Sequence, residues 1–328
     1  MTLALLCTLA WAGYGDLDED GLPLWQDREL HLWTNAARVD PEAFEVDYNA
    51  GGCSFDDFST DEQTPKAPVY LDLDLYAAAV YHSEDMESSG NFSHSSSDGT
   101  SFGDRLAQFY SDSSYIGENI AYGYGSAYAT VFNGWMCSTE GHRANIMSGD
   151  YNELGAGVSG AYMTQDFAAG SVQTDSPIAM GLHSPESPSN AVEFLLDWQD
   201  DAAPDRLEII LDGAPVAPEL LYGADDQGIY TATVGLDDGG ACHVWYVRWA
   251  RADGSEGVYP EEGSYTFGAC DSARGWTASQ MCVLGRDCRD AAELAQGIEL
   301  IGCASARGPA SLGAALGALL LLSRRRSR

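Results

Sequence analysis

The stretch NGWMCSTEGHRANIM, residues 133–147, places His142 directly after Gly141. An imidazole there could ligate a metal, act as a base, or be packed to hold a loop. Gly141 is expected to end a helix running from about Ala127 to Ser138, which would turn His142 off the helix axis. A second histidine has a sharper setting. In YLDLDLYAAAVYHSEDMES, residues Leu71, Leu75, Ala78, Ala79, His82 and Met86 recur at helical spacing. His82 therefore lies in the apolar stripe and faces inward, with Ser83 and Glu84 pointing away. It is either buried and satisfied by a hydrogen bond or a ligand lining a cavity. Asp16, Asp18, Asp20 and Gly21 match the first half of a calcium-binding loop, with Asp27 at its twelfth position. Pro23 is unusual there, and a solvated acidic arm accounts for the same residues.

The elements that position these groups must come from a chain of 328 residues with a formal net charge of -34 and a single lysine, Lys66. Such a surface repels phosphate backbones, so nucleic acid is excluded as a partner. Residues 1–12, uncharged and mostly apolar, end in Ala10-Trp11-Ala12, a small-x-small cleavage pattern, and read as a signal peptide without the usual basic start. Residues 13–27 form the acidic arm. At the other end, Gly308 to Ser323 carry no charge and four arginines follow, which predicts a transmembrane tail over 308–328. From Gly302-Cys303 onward this tail resembles the MYXO-CTERM class of bacterial sorting tails. That resemblance implies recognition by a sorting or processing enzyme and a place at the cell surface or outer envelope.

Of the 8 cysteines, Cys7 leaves with the signal and Cys303 sits beside the tail. An even set remains, which in an exported chain argues for disulfides. Grouping by region pairs Cys53 with Cys137, Cys242 with Cys270 and Cys282 with Cys288, although six cysteines permit other connectivities. From Ser176 the hydrophobic period changes to two. Val192, Phe194, Leu196 and Trp198 alternate, as do Leu207, Ile209 and Leu211, with turns at Asp238-Gly239 and Asp253-Gly254. Residues 175–270 are therefore expected to be an immunoglobulin-like β-sandwich carrying no catalytic motif. Residues 271–307 read as a cysteine-containing stalk.

The first half carries a series of motifs in one order: NAARVDPEAF at 35–44, HSEDM at 82–86, NFSH at 91–94, DGTSFGDRL at 98–106, GENIAYG at 117–123, GWMCSTEGHRANIM at 134–147, ELGAGV at 153–158 and YMTQDF at 162–167. Over residues 28–172 the chain thereby resembles the CAP superfamily of cysteine-rich secretory, antigen 5 and pathogenesis-related proteins, in its bacterial SCP-like branch. The resemblance implies an α+β fold, a three-layer α-β-α sandwich with a central cleft. It places His82, Glu118 and His142 in that cleft. Ser138 stands where the family often has a second glutamate, with Glu140 and His94 nearby. Two neutral imidazoles and a carboxylate suit zinc or another divalent metal with an open position. The same groups could serve as base and orienter, or cap loops and bond one another. No HExxH or GxSxG sequence supports hydrolysis. The implied function is ligand binding at the cell surface, the ligand being a lipid, a small molecule or a partner protein. The alternatives are a metal-dependent hydrolase of peptide or cell-wall material and a purely structural surface protein.

Overall fold

The computed structural model describes residues 23–270, apart from 173, 189 and 261–263. The signal peptide, most of the acidic arm, the stalk with Cys282 and Cys288, and the 308–328 tail lie outside the described residues. No described helix is long and apolar enough to cross a membrane.

Helix α1 spans Trp25–Val39. It stops where Asp40 leaves helical geometry ahead of Pro41, which cannot continue the hydrogen-bond ladder. Helix α2, Leu73–Ser89, starts on Asp72, whose carboxylate accepts from the backbone N–H groups of Asp74 and Leu75, and ends at Gly90 in the left-handed region. Strands β1 (Tyr70–Leu71), β2 (Ile116–Tyr122), β3 (Glu153–Ser159) and β4 (Tyr162–Ala168) form a sheet in the order β1-β3-β4-β2. A hairpin turning at Gly160, where Ser159-Gly160 carries a turn signal, joins β3 and β4. Helix α2 lies on these two strands, and glycines in ELGAGV make room for it. A Cβ on Gly155 would sit 2.0 Å from the Leu75 carbonyl carbon, and one on Gly157 would sit 2.4 Å from the Val80 nitrogen. The helix spacing misplaced one residue. Ser83 faces the sheet, fully buried, donates to the Gly157 carbonyl and shares a second hydrogen bond with the Thr164 hydroxyl, which donates to it.

The helix predicted over 127–138 is shorter and wider. One α turn, Ala127–Ala129, passes into a π turn, Thr130–Trp135, which buries Val131, Phe132 and Trp135 together. Gly141 does not end it. With φ of +103° it precedes a separate short helix, α4 (His142–Ile146); α3 is Phe102–Leu106. Cys53 and Cys137 are disulfide-bonded, as are Cys242 and Cys270, both as expected.

The second unit has two antiparallel sheets. One is ordered β5 (Gly181–Ser184), β6 (Ala191–Gln199), β10 (Gln227–Gly235), β9 (Glu219–Gly223). The other is ordered β12 (Glu256–Tyr259), β11 (His243–Ala250), β7 (Arg206–Leu211), β8 (Ala214–Val216), with β13 (Tyr265–Phe267) also on β11. Phe194, Leu196 and Trp198 of β6 join Ile209, Trp245 and Val247 in the core between the sheets. The other face of β6 is buried too. Leu195, with Met180, Leu182 and Ile229, joins the core around α1. That explains Leu195 between Phe194 and Leu196, since a strand covered on both faces loses strict alternation. Helix α1 is thus enclosed by two sheets. Its polar groups bridge them: Trp25 Nε1 donates to the His183 carbonyl at 2.7 Å and Arg28 to the Gly181 carbonyl at 3.2 Å, both on β5, while Asp27 accepts from the Val158 N–H of β3 at 2.8 Å. The two units share packing across α1 instead of being spaced apart.

Candidate functional site

Glu118 is the centre of the cleft cluster. It sits on β2 directly opposite Asp166 of β4, so both carboxyls project from one face of the sheet. Glu118 is 6% exposed and Asp166 fully buried. Arg105 of α3, also buried, places its guanidinium on Glu118 Oε2 in a short contact. The same guanidinium donates to the His94 carbonyl at 2.9 Å, which pins the polar loop between α2 and α3. His94 Nδ1 lies 2.7 Å from Glu118 Oε1, and its side chain is 53% exposed. A basic side chain therefore holds one oxygen of Glu118 and an imidazole the other.

The structure reassigns the expected histidines. His82 is inward and buried, as its helical position requires, but its Nε2 meets the Ser93 carbonyl at 2.9 Å and stays 3.9 Å from Glu118. With Nε2–H donating there, Nδ1 has no hydrogen-bond partner among the described residues. Burial holds the His82 pKa below the ordinary histidine value, so the ring is neutral at pH 7. His94, placed by the sequence only near the cluster, is the imidazole that bonds Glu118. His142 is half-buried beside it, and burial together with the His94 ring lowers its pKa. The backbone carbonyl of His142 accepts from Asn119 Nδ2 at 3.1 Å, and Asn145 Nδ2 donates to the Glu118 carbonyl at 3.2 Å. These bonds tie α4 to β2. Ser138 and Glu140 do not reach Glu118. Ser138 Oγ accepts from the Glu140 N–H at 3.1 Å, closing a turn, and the Glu140 side chain is exposed.

Two members of the cluster went unread in the sequence although their motifs were noted. Arg105 is a fully buried cation in a strongly acidic chain. Asp166 carries two carboxyl oxygens without a hydrogen-bond donor among the described residues, and burial followed by the Glu118 charge raises its pKa well above the ordinary range.

This arrangement does not fit the zinc set His82, Glu118 and His142. Among the described residues no three His, Cys, Asp or Glu side chains are grouped to hold a metal. Glu118 is already bonded to a permanent cation, whose charge opposes a second one at the same carboxylate. Zinc titrated into metal-free protein is therefore expected to give no saturable heat and no rise in melting temperature. Stoichiometric binding lost in His142→Ala would refute this. The calcium loop fares no better at its described end. Asp27 lies in the first turn of α1, 2% exposed, and accepts from the Val158 N–H at 2.8 Å and the Tyr76 hydroxyl at 3.0 Å. Burial raises its pKa to about 7. Asp16, Asp18 and Asp20 lie outside the described residues.

The chain's similarities to known proteins coincide with this region. Residues 34–172 match the family model described as CAP: Cysteine-rich secretory protein family. An uncharacterized membrane protein of Bacillus subtilis, YlbC, is 45% identical over 101 residues, 31% of this chain and 29% of that protein. A second B. subtilis protein, the uncharacterized YkwD, is 34% identical over 102 residues, 30% of this chain and 39% of that protein. The chain thus spans well under half the length of these relatives. Among solved structures, an extracellular SCP-domain protein of Bacillus anthracis is 27% identical with a TM-score of 0.30, covering 40% of this chain and 39% of that one. An outer surface protein of Borrelia burgdorferi is 13% identical with a TM-score of 0.29, covering 41% of this chain and 96% of that one. With the motif series, the buried Glu118 cluster and the family match all falling on the same segment, residues 34–172 are a CAP domain of the cysteine-rich secretory protein family.

Proposed function

We propose that this is an exported protein, held at the cell surface through its 308–328 tail, whose CAP cleft binds a ligand without a metal. The observation that carries this is the fixing of His94. Its Nδ1 is held by Glu118, Glu118 is held by Arg105, and half of the imidazole is left open to solvent beside His142. Further along the same strand face, Tyr122 and Tyr162 pair at 4.6 Å, and Phe92 lies 6.3 Å from Tyr122. Phe92 and Tyr122 are half exposed. Fixed imidazoles beside exposed rings suit a neutral or cationic ligand with an apolar body, and the net charge of -34 disfavours polyanions. The 175–270 unit fits an immunoglobulin-like module, because its sheet orders follow the A-B-E-D and G-F-C-C′ pattern.

The test titrates the full-length protein with monomeric dodecylphosphocholine and, separately, with an N-acetylglucosamine tetramer, followed by amide NMR. One of them should shift His94, Tyr122 and Tyr162. The Phe92→Ala/Tyr122→Ala variant should lose the response at an unchanged melting temperature. Silence from both probes would favour a purely structural surface protein. One observation supports a hydrolytic reading: a carboxylate on Nδ1 orients an imidazole as a base. Turnover of a peptide or cell-wall substrate, abolished by His94→Gln without loss of stability, would establish it.

A further inference from the structure

A cavity of about 540 Å³ lies between the β1 edge of the CAP domain and the second unit. Its wall on one side is Tyr70 to Asp74 with Glu153; on the other it is Ser176 and Ile178 to Met180 with Tyr259 and Tyr265. We propose that this cavity is a second binding site, and that it takes a small organic ammonium ion with an apolar body. The volume falls within the roughly 300–1,000 Å³ typical of ligand sites, which favour junctions between units.

The charge of the wall selects the ligand. Among the described residues Asp72, Asp74 and Glu153 line it, and no lysine, arginine or histidine does. No ion pair among the described residues involves any of the three. Asp72 accepts from two backbone N–H groups at 2.8 and 2.9 Å, and Glu153 from the Tyr110 hydroxyl at 2.7 Å. Burial raises the pKa of both carboxyls, and the nearby Asp112 raises them further. A cation entering the cavity would relieve that repulsion. Arg28 is outside the wall; it covers the Tyr265 ring at 4.1 Å and bonds the Gly181 carbonyl. Tyr70, Leu71 and Val172, each partly exposed, supply an apolar surface, and Leu73, 49% exposed, marks the mouth. An ammonium head at the carboxylates with an aryl or alkyl body on this surface satisfies both. The site is independent of the cleft, since Asp72 and His82 stand about 15 Å apart along α2 at the usual helical rise.

The test is calorimetric titration of the full-length protein with phenethylammonium and with its neutral counterpart, phenethyl alcohol. The ammonium ion should bind saturably and the alcohol at least about tenfold more weakly. Asp72→Asn/Glu153→Gln should weaken the ammonium ion to a similar degree. Asparagine keeps the helix cap and glutamine can still accept from Tyr110, so the variant is expected to fold. Asp74→Asn, at an exposed position, should weaken binding severalfold without touching the fold. His94→Ala should leave this binding unchanged, which separates the result from the cleft. Absence of saturable binding, equal binding of the alcohol, or full binding by the carboxamide variants would overturn the proposal.

Discussion

Arg105→Met is expected to destabilise the protein by about 3–5 kcal/mol, the usual cost of breaking a buried ion pair by removing one partner. Methionine roughly preserves the volume, so packing is not the source of the loss. Glu118 would keep its buried position beside Asp166 with no permanent cation on Oε2. The substitution also removes the donors to the His94 carbonyl and Ser96 Oγ, at 2.9 and 3.5 Å, which hold the loop. Two readouts should therefore move together: the denaturant midpoint should fall, and the His94 ring resonances should lose their single environment. Adding Glu118→Leu to Arg105→Met should recover much of the stability, because an apolar pair replaces an orphaned charge. His94 should stay mobile in that double variant. A loss below about 1 kcal/mol for Arg105→Met would mean that the pair behaves as a solvent-exposed one.

This cluster also marks where sequence reasoning stopped. The inward face of α2 was legible from Leu75, Ala79, His82 and Met86, because 3.6-residue periodicity fixes which side of a helix is covered. Periodicity does not say what a ring nitrogen reaches. His82 bonds a carbonyl of the following loop, while His94, in that loop, takes the carboxylate. The loop has no repeating pattern, and its course is set by Arg105, a contact across elements that only folding creates. The hairpin turn at Ser159-Gly160 was legible because its turn signal acts locally, whereas Glu118 and Asn119, set among glycines that read as a turn, lie inside strand β2. The docking of the second unit on α1 was not foreseen, although its signals were present. FLLDW lacks the alternation of a half-solvated strand, and Arg28, His31 and Asn35 are buried polar residues on a helix. Such side chains need partners from outside their own helix.

Asn35→Ala is the sharper probe of that docking, and it should cost about 2–4 kcal/mol because it strands several buried polar groups at once. Asn35 Nδ2 donates to the Val69 carbonyl at 3.0 Å and to Asp197 Oδ2 at 2.6 Å, and its Oδ1 accepts from the Val69 N–H at 2.9 Å. Asp197 is fully buried on β6, and its other oxygen accepts from the N–H groups of Ala179 and Met180 at 2.7 and 2.8 Å. One side chain on α1 thus links the entry to the CAP sheet with the sheet of the second unit. Burial raises the Asp197 pKa to about 7. A carboxyl whose folded pKa exceeds its unfolded value of 3.8 contributes stability below that unfolded value, and loses it as pH rises toward 7. Removing the Asn35 donor should raise this pKa further, so the penalty of Asn35→Ala should be larger at pH 8 than at pH 5. Both units should still unfold in one transition, because their cores meet through Leu195, Met180 and Ile229 around α1. Tryptophans occur in both units, so peptide-resolved amide hydrogen exchange, which follows β6 and β11 of the second unit separately from α1 and α2 of the first, is the readout. Two separated transitions in the parent protein, or a penalty independent of pH, would show that α1 does not couple the two halves.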